Sequence, residues 1–263
     1  MYRLLAVVLG VLLLAGCGSN SFKIPKEEYR QTVRTLGVLP LLVDVNSTIS
    51  HPEREAVLSL LRRTGAGGED RLIEELQKKK SYFDVRPVAG DPGQLYAELI
   101  RGSTLRGEAE KLFRHYDFNA ASVAQLAQRN AVDALLIVVL NGVDRPAKRW
   151  DRRHLNYLQA NFNDIEATAA VVLPSGEIVW EYPGTGADGL LPLQYPDFEE
   201  AYYNRTEEVR IKFITVAGLE RNLAEKERGL LGKNSYSRNY QKLFSSIASA
   251  LHPGMLNPFR SKE

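Results

Sequence analysis

The sequence predicts an α/β fold on a mixed sheet: a parallel βαβ core, an antiparallel hairpin and flanking helices. Three observations predict it. Residues 35–45, TLGVLPLLVDV, and 135–140, LLIVVL, are short apolar runs without alternation, the pattern of strands buried on both faces. The helical stretch DFNAASVAQLAQRNAV leads directly into the second run, as in a βαβ unit. Then DIEATAAVVL and EIVWEY flank Pro174-Ser175-Gly176, a three-residue hairpin connection with Gly last.

The elements follow in order. Pro40 has no N–H to donate, so the first strand ends near Leu39. In EDRLIEELQKKKSYFDVRP, Leu72, Ile73 and Leu76 form a helical stripe, with acids first and Lys78 to Lys80 last, matching the helix dipole. A short strand from Tyr82 to Arg86 stops at Pro87. Asn119 is an N-cap candidate. Ala120, Val123, Ala124, Ala127 and Ala131 share a helix face beside Leu126, and Asn130 suits a left-handed helix end. Ile165, Ala167, Ala169, Val171 and Leu173 alternate with Glu166 and Thr168, as a one-sided strand does, and Ile178, Trp180 and Tyr182 share a face of the return strand. In TEEVRIKFITVAGLERNLAEKERGLLG, Val209, Phe213, Val216, Leu223 and Ala224 fit a helix, while Val209, Ile211 and Phe213 also fit a strand. YSRNYQKLFSSIASALHPG is an amphipathic helix ended by His252-Pro253-Gly254. Residues 35–252 read as one domain and 253–263 as a loose tail.

The amino terminus points to export. Arg3 precedes an apolar run from Leu4 to Leu14 and then small residues, the layout of a signal peptide over residues 1–16. The run is shorter than the ~20 residues a bilayer span needs. Leu14-Ala15-Gly16-Cys17 resembles the lipobox of bacterial lipoproteins. That resemblance implies cleavage before Cys17, the only cysteine, and a lipid on its sulfur. Two or three acyl chains make a durable anchor where one binds reversibly. Gly18, in place of an Asp, implies the periplasmic face of the outer membrane, or the outer face of the cytoplasmic membrane in a single-membrane host. Residues 17–34 are polar with one Pro and read as a flexible tether, the stretch after Cys17 reaching roughly 23 Å.

Composition is that of a globular body: 44% hydrophobic, 25% charged, with a net charge of +2 that becomes +1 when Arg3 leaves with the signal. Such a balance leaves no footprint for non-specific nucleic-acid binding. His51, His115, His154 and His252 fall in unrelated stretches, without metal-ligand spacing, and read as surface or cap residues. GTGADG at 184–189 matches a dinucleotide fingerprint, but prolines follow where a helix should open. No G-x-S-x-G is present, and neither metal nor cofactor is expected.

TLGVLPL, YFDVRP, LAQRNAVDALLIVVLNG and ATAAVVLPSGEIVWEY together resemble the curli-secretion (CsgG-like) group of envelope lipoproteins. They are also similar to the amino-terminal domain of TolB and to the lipoprotein activators of penicillin-binding proteins. The resemblance implies an anticodon-binding-domain-like sandwich in a non-catalytic lipoprotein that acts through protein contacts. Secretion-channel members insert long alternating hairpins. The candidate insertions, 141–163 and 183–208, are rich in charge, Pro and Asn and do not alternate. An adaptor in envelope assembly or secretion is therefore expected, with an activator of a peptidoglycan-synthesising enzyme or an envelope hydrolase as alternatives. Self-association is left open. RPAKRWDRRHLNY reads as a loop between strands in which Arg145, Lys148, Arg149, Arg152 and Arg153 surround Trp150, a contact surface for an acidic protein, a headgroup or a glycan.

Overall fold

The computed structural model describes residues 21–108, 111–182, 189–228 and 233–252. The LAGC stretch with Cys17, most of the GTGADG stretch and the tail from 253 lie outside the described residues. In chain order the elements begin with α1 (Lys26–Thr32), β1 (Thr35–Val38), β2 (Leu42–Val43), α2 (Arg54–Gly65), α3 (Gly68–Lys79) and β3 (Asp84–Pro87). Then come α4 (Pro92–Leu99), β4 (Ile100–Arg106), β5 (Phe113–Phe118), α5 (Ala120–Asn130), β6 (Ala134–Trp150), β7 (Tyr157–Val172) and β8 (Ile178–Tyr182). The last are β9 (Leu191–Pro192), β10 (Gln194–Asp197), α6 (Phe198–Tyr203), β11 (Arg210–Phe213), α7 (Val216–Ala224), β12 (Lys226–Arg228), β13 (Lys233–Ser237) and α8 (Arg238–Ala250).

The fold is the mixed α/β sheet that the sequence predicts. Strand order is β3-β1-β6-β7-β8: β1 is parallel to both β3 and β6, and β6, β7 and β8 are successively antiparallel. Past Pro40 the chain resumes as β2, still parallel to β6, and β9 adds to the outer edge of β7. One sheet face buries Leu36, Val38, Leu136, Val138 and Val171 against Leu58, Leu61, Leu72, Leu76 and Phe244 of α2, α3 and α8. The other buries Leu135, Ile137, Val139 and Val172 against Leu95, Tyr116, Val123 and Leu126. At about 1.5–3 kcal/mol per buried aliphatic side chain, these two layers supply the main drive to fold. Asp133, before β6, locks it to β1: its Oδ2 accepts from Arg34 N at 3.0 Å, Thr35 N at 2.7 Å and Thr35 Oγ1 at 2.8 Å.

Several expectations are corrected. From Phe162 to Val172 the strand β7 is buried on both faces, Glu166 and Thr168 included. A bulge at Val179 sets Val171 opposite Trp180 but Val172 opposite Ile178, so Ile178 turns to the α5 side, away from Trp180 and Tyr182. Asn119 begins α5 without a side-chain cap, because its Oδ1 accepts from Arg101 at 3.1 Å. The left-handed residue is Ala131 (φ 49°); the Asn130 amide instead donates to Leu126 O within the helix. Residues 210–224 are a strand followed by a helix capped by Thr215. Helix α4 was open to reading from Asp91-Pro92, an N-cap followed by Pro at the first helical position.

The largest correction concerns residues 21–34, which are docked rather than a free tether. Phe22 bridges antiparallel to Trp180, with Glu181 N donating to Ser21 O and Lys23 N to Val179 O. Phe22 packs edge-on to Tyr29 at 5.0 Å, and the buried Tyr29 hydroxyl meets that of Tyr82 at 2.7 Å. Burying two aromatic rings outweighs the polarity around them. Phe22→Ala is expected to cost about 3 kcal/mol and, by undocking the backbone around the already exposed Lys23 and Lys26, to speed their cleavage by trypsin; unchanged cleavage at these lysines would refute the docking.

Candidate functional site

The loop expected at 145–157, within the candidate insertion 141–163, is instead the distal half of a hairpin. β6 has 17 residues and β7 has 16, paired in register from Leu135 opposite Val172 to Trp150 opposite Tyr157. At about 3.4 Å per residue each strand runs about 55 Å. Its mid-point is stapled to residues 44–50. Gly142 N donates to Ser47 Oγ at 2.9 Å. The Asn163 amide donates to Thr48 O at 2.8 Å and Asp144 Oδ1 at 2.6 Å, and its Oδ1 accepts from Ser50 N at 2.9 Å.

Beyond the staple, alternation by hydrophobicity fails because the inward positions carry paired ions. Arg145, 2% exposed, contacts Glu166 and lies 3.6 Å from Asp164, both also buried. Arg149 donates to Asp164 and to Gln194 O, and its guanidinium sits 4.1 Å from the Phe162 ring centre. Burial pushes the Glu166 carboxyl up to about 7; Arg145 opposes the rise and the Asp164 charge adds to it. The folded state therefore holds a proton that the unfolded chain has released, from about pH 4.5 upward. The contribution to stability is complete below that pH and is lost as pH climbs through about 7, by roughly 3 kcal/mol. Glu166→Gln should flatten that slope in urea titrations between pH 5 and 8, and an unaltered slope would refute the assignment.

The hairpin end is built differently. Asp151 Oδ1 accepts from Arg153 N at 3.1 Å and Leu155 N at 2.9 Å, while Oδ2 accepts from the Asn156 amide at 3.0 Å. This turn presents Trp150 (45% exposed), Leu155 (72%) and Tyr157 (50%) to solvent. Lys148 Nζ lies 3.6 Å from the Tyr157 ring centre and 5.3 Å from that of Trp150. Arg152 pairs with Glu199 at 3.0 Å, linking the turn to α6, whose Tyr202 and Tyr203 are also exposed. Both ions of that pair are exposed, so it is worth at most about 1 kcal/mol. A groove of about 830 Å³ runs from Trp150 past Tyr195 to Asn239 and Ser246 of α8.

The six predicted contact residues thus divide. Lys148, Trp150, Arg152 and Arg153 are displayed at the end, whereas Arg145 and Arg149 are internal struts and do not belong to the contact surface. Their guanidinia face carboxylates that the one-sided reading of β7 had assigned to solvent.

No family model matches the chain, and no curated protein matches it. Among solved structures it is similar to the PelC dodecamer from Paraburkholderia phytofirmans, at 12% identity over 84% of this chain and 87% of that chain, with a TM-score of 0.29. A point-substituted PelC dodecamer from the same organism gives 12% identity, 84% and 88% coverage and a TM-score of 0.30. A likeness of that size assigns this chain no role.

Two further polar clusters escaped the sequence reading. Buried Asp44 accepts from the Tyr96 hydroxyl at 2.7 Å, the Tyr116 hydroxyl at 2.9 Å and Asn46 N at 2.9 Å, tying α4 and β5 to the end of β2. Burial first, and Asp44 second, push both phenols well above the usual tyrosine range, although hydrogen bonding precedes charge at Tyr96. Buried His115 contacts Glu181, whose other oxygen is 3.2 Å from Lys23 Nζ. His51 is buried as well, accepting from Glu53 N and donating to Ile214 O, each at 2.9 Å. Neither histidine is the surface residue that its sequence context suggested. Among the described residues no group of acids and histidines has the arrangement of a metal site, and no helix is long and apolar enough to cross a membrane.

Proposed function

We propose that this chain is a lipid-anchored envelope lipoprotein, held by Cys17 at the periplasmic face of the outer membrane, that works by contact rather than catalysis as an adaptor in assembly or secretion. The observation that carries it is the hairpin end: exposed Trp150, Leu155 and Tyr157 with Lys148, Arg152 and Arg153, on a support stiffened by buried ion pairs. Aromatic rings beside guanidinium groups favour binding and offer no acid, base and nucleophile in convergence. The lipobox-like LAGC supports the anchor. An adaptor is preferred to a channel because Asp144, Lys148, Gln159 and Asn161 are exposed along the distal hairpin, where an outward apolar band would be needed.

The test has two parts. Labelling with an alkyne-bearing palmitate analogue should mark the wild type and not Cys17→Ser. The triple substitution W150A/R152A/R153A should leave the melting temperature within about 2 °C and fail to complement the envelope phenotype of a deletion. Full complementation by the triple variant would sink the contact reading.

A further inference from the structure

We infer that the hairpin end seats in the headgroup region of the same bilayer that holds the Cys17 lipid, giving the protein two membrane contacts rather than one. The inference rests on the lipoprotein reading and supplies the partner of the exposed end.

Chain arithmetic comes first. Because the fold holds the chain at Ser21 to Lys23, the covalent link from Cys17 to Ser21 sets the leash, at most about 14 Å at full stretch. The body is therefore held close to the membrane. Direction comes next. Residues 21–23 run antiparallel to β8, and β8 runs antiparallel to β7, so the docked segment runs with β7, away from the hairpin end. Followed back from Lys23 to Ser21, the chain heads towards the hairpin end. Ser21 is thus the end of the docked segment that faces the side to which the hairpin projects.

Distance sets the posture. Ser21 is level with Glu181, which pairs with Ala170, and Tyr157 lies a further 13 residues along β7, about 44 Å away. A hairpin driven end-on from so short a leash would bury Asp144, Gln159 and Asn161 in hydrocarbon, which their polarity forbids. It lies instead along the surface, with the lipid at one point and the turn at the other. The side chains at the turn suit that depth. Tryptophan and tyrosine favour the boundary between headgroups and acyl chains, and Lys148, Arg152 and Arg153 sit at the height of the phosphates.

The chain has two tryptophans, and Trp180 is wholly buried, so Trp150 is a native reporter. Full-length lipidated protein, extracted in mild detergent, is reconstituted into vesicles of phosphatidylethanolamine and phosphatidylglycerol containing brominated phosphatidylcholine. Bromine near the carbonyl end of the acyl chain should quench the Trp150 emission about two-fold, more than bromine deeper in the chain. The emission left in Trp150→Phe should be insensitive to either. Intact mass and vesicle flotation are read on the same sample. If Cys17 is acylated and the protein floats, but wild type and Trp150→Phe are quenched equally or not at all, the membrane contact is overturned and the lipoprotein reading stands. If Cys17 carries no lipid, both fall. Equal acrylamide quenching of Trp150 with and without vesicles, or a photo-crosslinker at Tyr157 that joins a protein instead of lipid in cells, also overturns it.

Discussion

Replacing Arg145 with methionine is expected to lower the unfolding free energy at pH 8 by about 3–5 kcal/mol. The guanidinium is the internal partner of Glu166 and lies beside Asp164, and none of the three reaches solvent. Removing it strands a buried carboxylate, which costs more than the pair was worth. The loss should shrink at pH 5, where Glu166, with its carboxyl raised to about 7, is already protonated. R145M/E166M, which replaces both partners by apolar side chains, should recover most of the stability. Urea titrations of the single and double variants at both pH values decide it. A loss of equal size at pH 5 and 8, or no recovery in the double variant, would remove the ion cluster from the account.

Gly142→Ala should cost about 3 kcal/mol, the upper end for forcing extra volume into packed structure. An added Cβ would lie 2.2 Å from Thr48 O and 2.6 Å from Ile49 Cγ1. Thr48 O cannot withdraw easily, because it accepts from Asn163, and Gly142 N itself donates to Ser47. The clash should release residues 44–50 from the hairpin, visible as faster amide exchange at Asn46 and Ser50, whose N–H groups bond Asp44 and Asn163. Gly102→Ala, where nothing lies within 4 Å, is the control and should change stability by less than about 0.5 kcal/mol. Similar melting temperatures for the two variants would show that the staple does not support the hairpin.

How far the sequence could be read depended on what fills the buried positions. Where they are apolar, as at Leu135 to Leu140 or Leu72, Ile73 and Leu76, strand and helix are legible and the structure agrees. From Val143 to Arg149 the same inward alternation continues as Val143, Arg145, Ala147 and Arg149. Half of it is cationic, its carboxylate partners lie in β7, and no local pattern announces the pairing. A hydrophobicity pattern sees charge and reads solvent. The amino-terminal segment was missed for the opposite reason: only Phe22, Tyr29 and Val33 are buried in it, too few to show periodicity. The exposure of Trp150, Arg152 and Arg153 was legible, since they needed only to be placed at a turn. Asp44, His51 and His115 were not, because their burial depends on elements far away in sequence.

The strand-like docking of residues 21–23 also fixes how the molecule bears load. Tension applied to the chain at Ser21 along the strand axis loads the two bonds to Val179 and Glu181 together, in shear, instead of unzipping them one at a time. Behind them, Tyr29 in α1 acts as a stop against Phe22 and Tyr82. A pull on the amino-terminal segment is thus transmitted to β8, the outer strand of the main sheet, and the segment resists extraction as a rivet does rather than as a zipper.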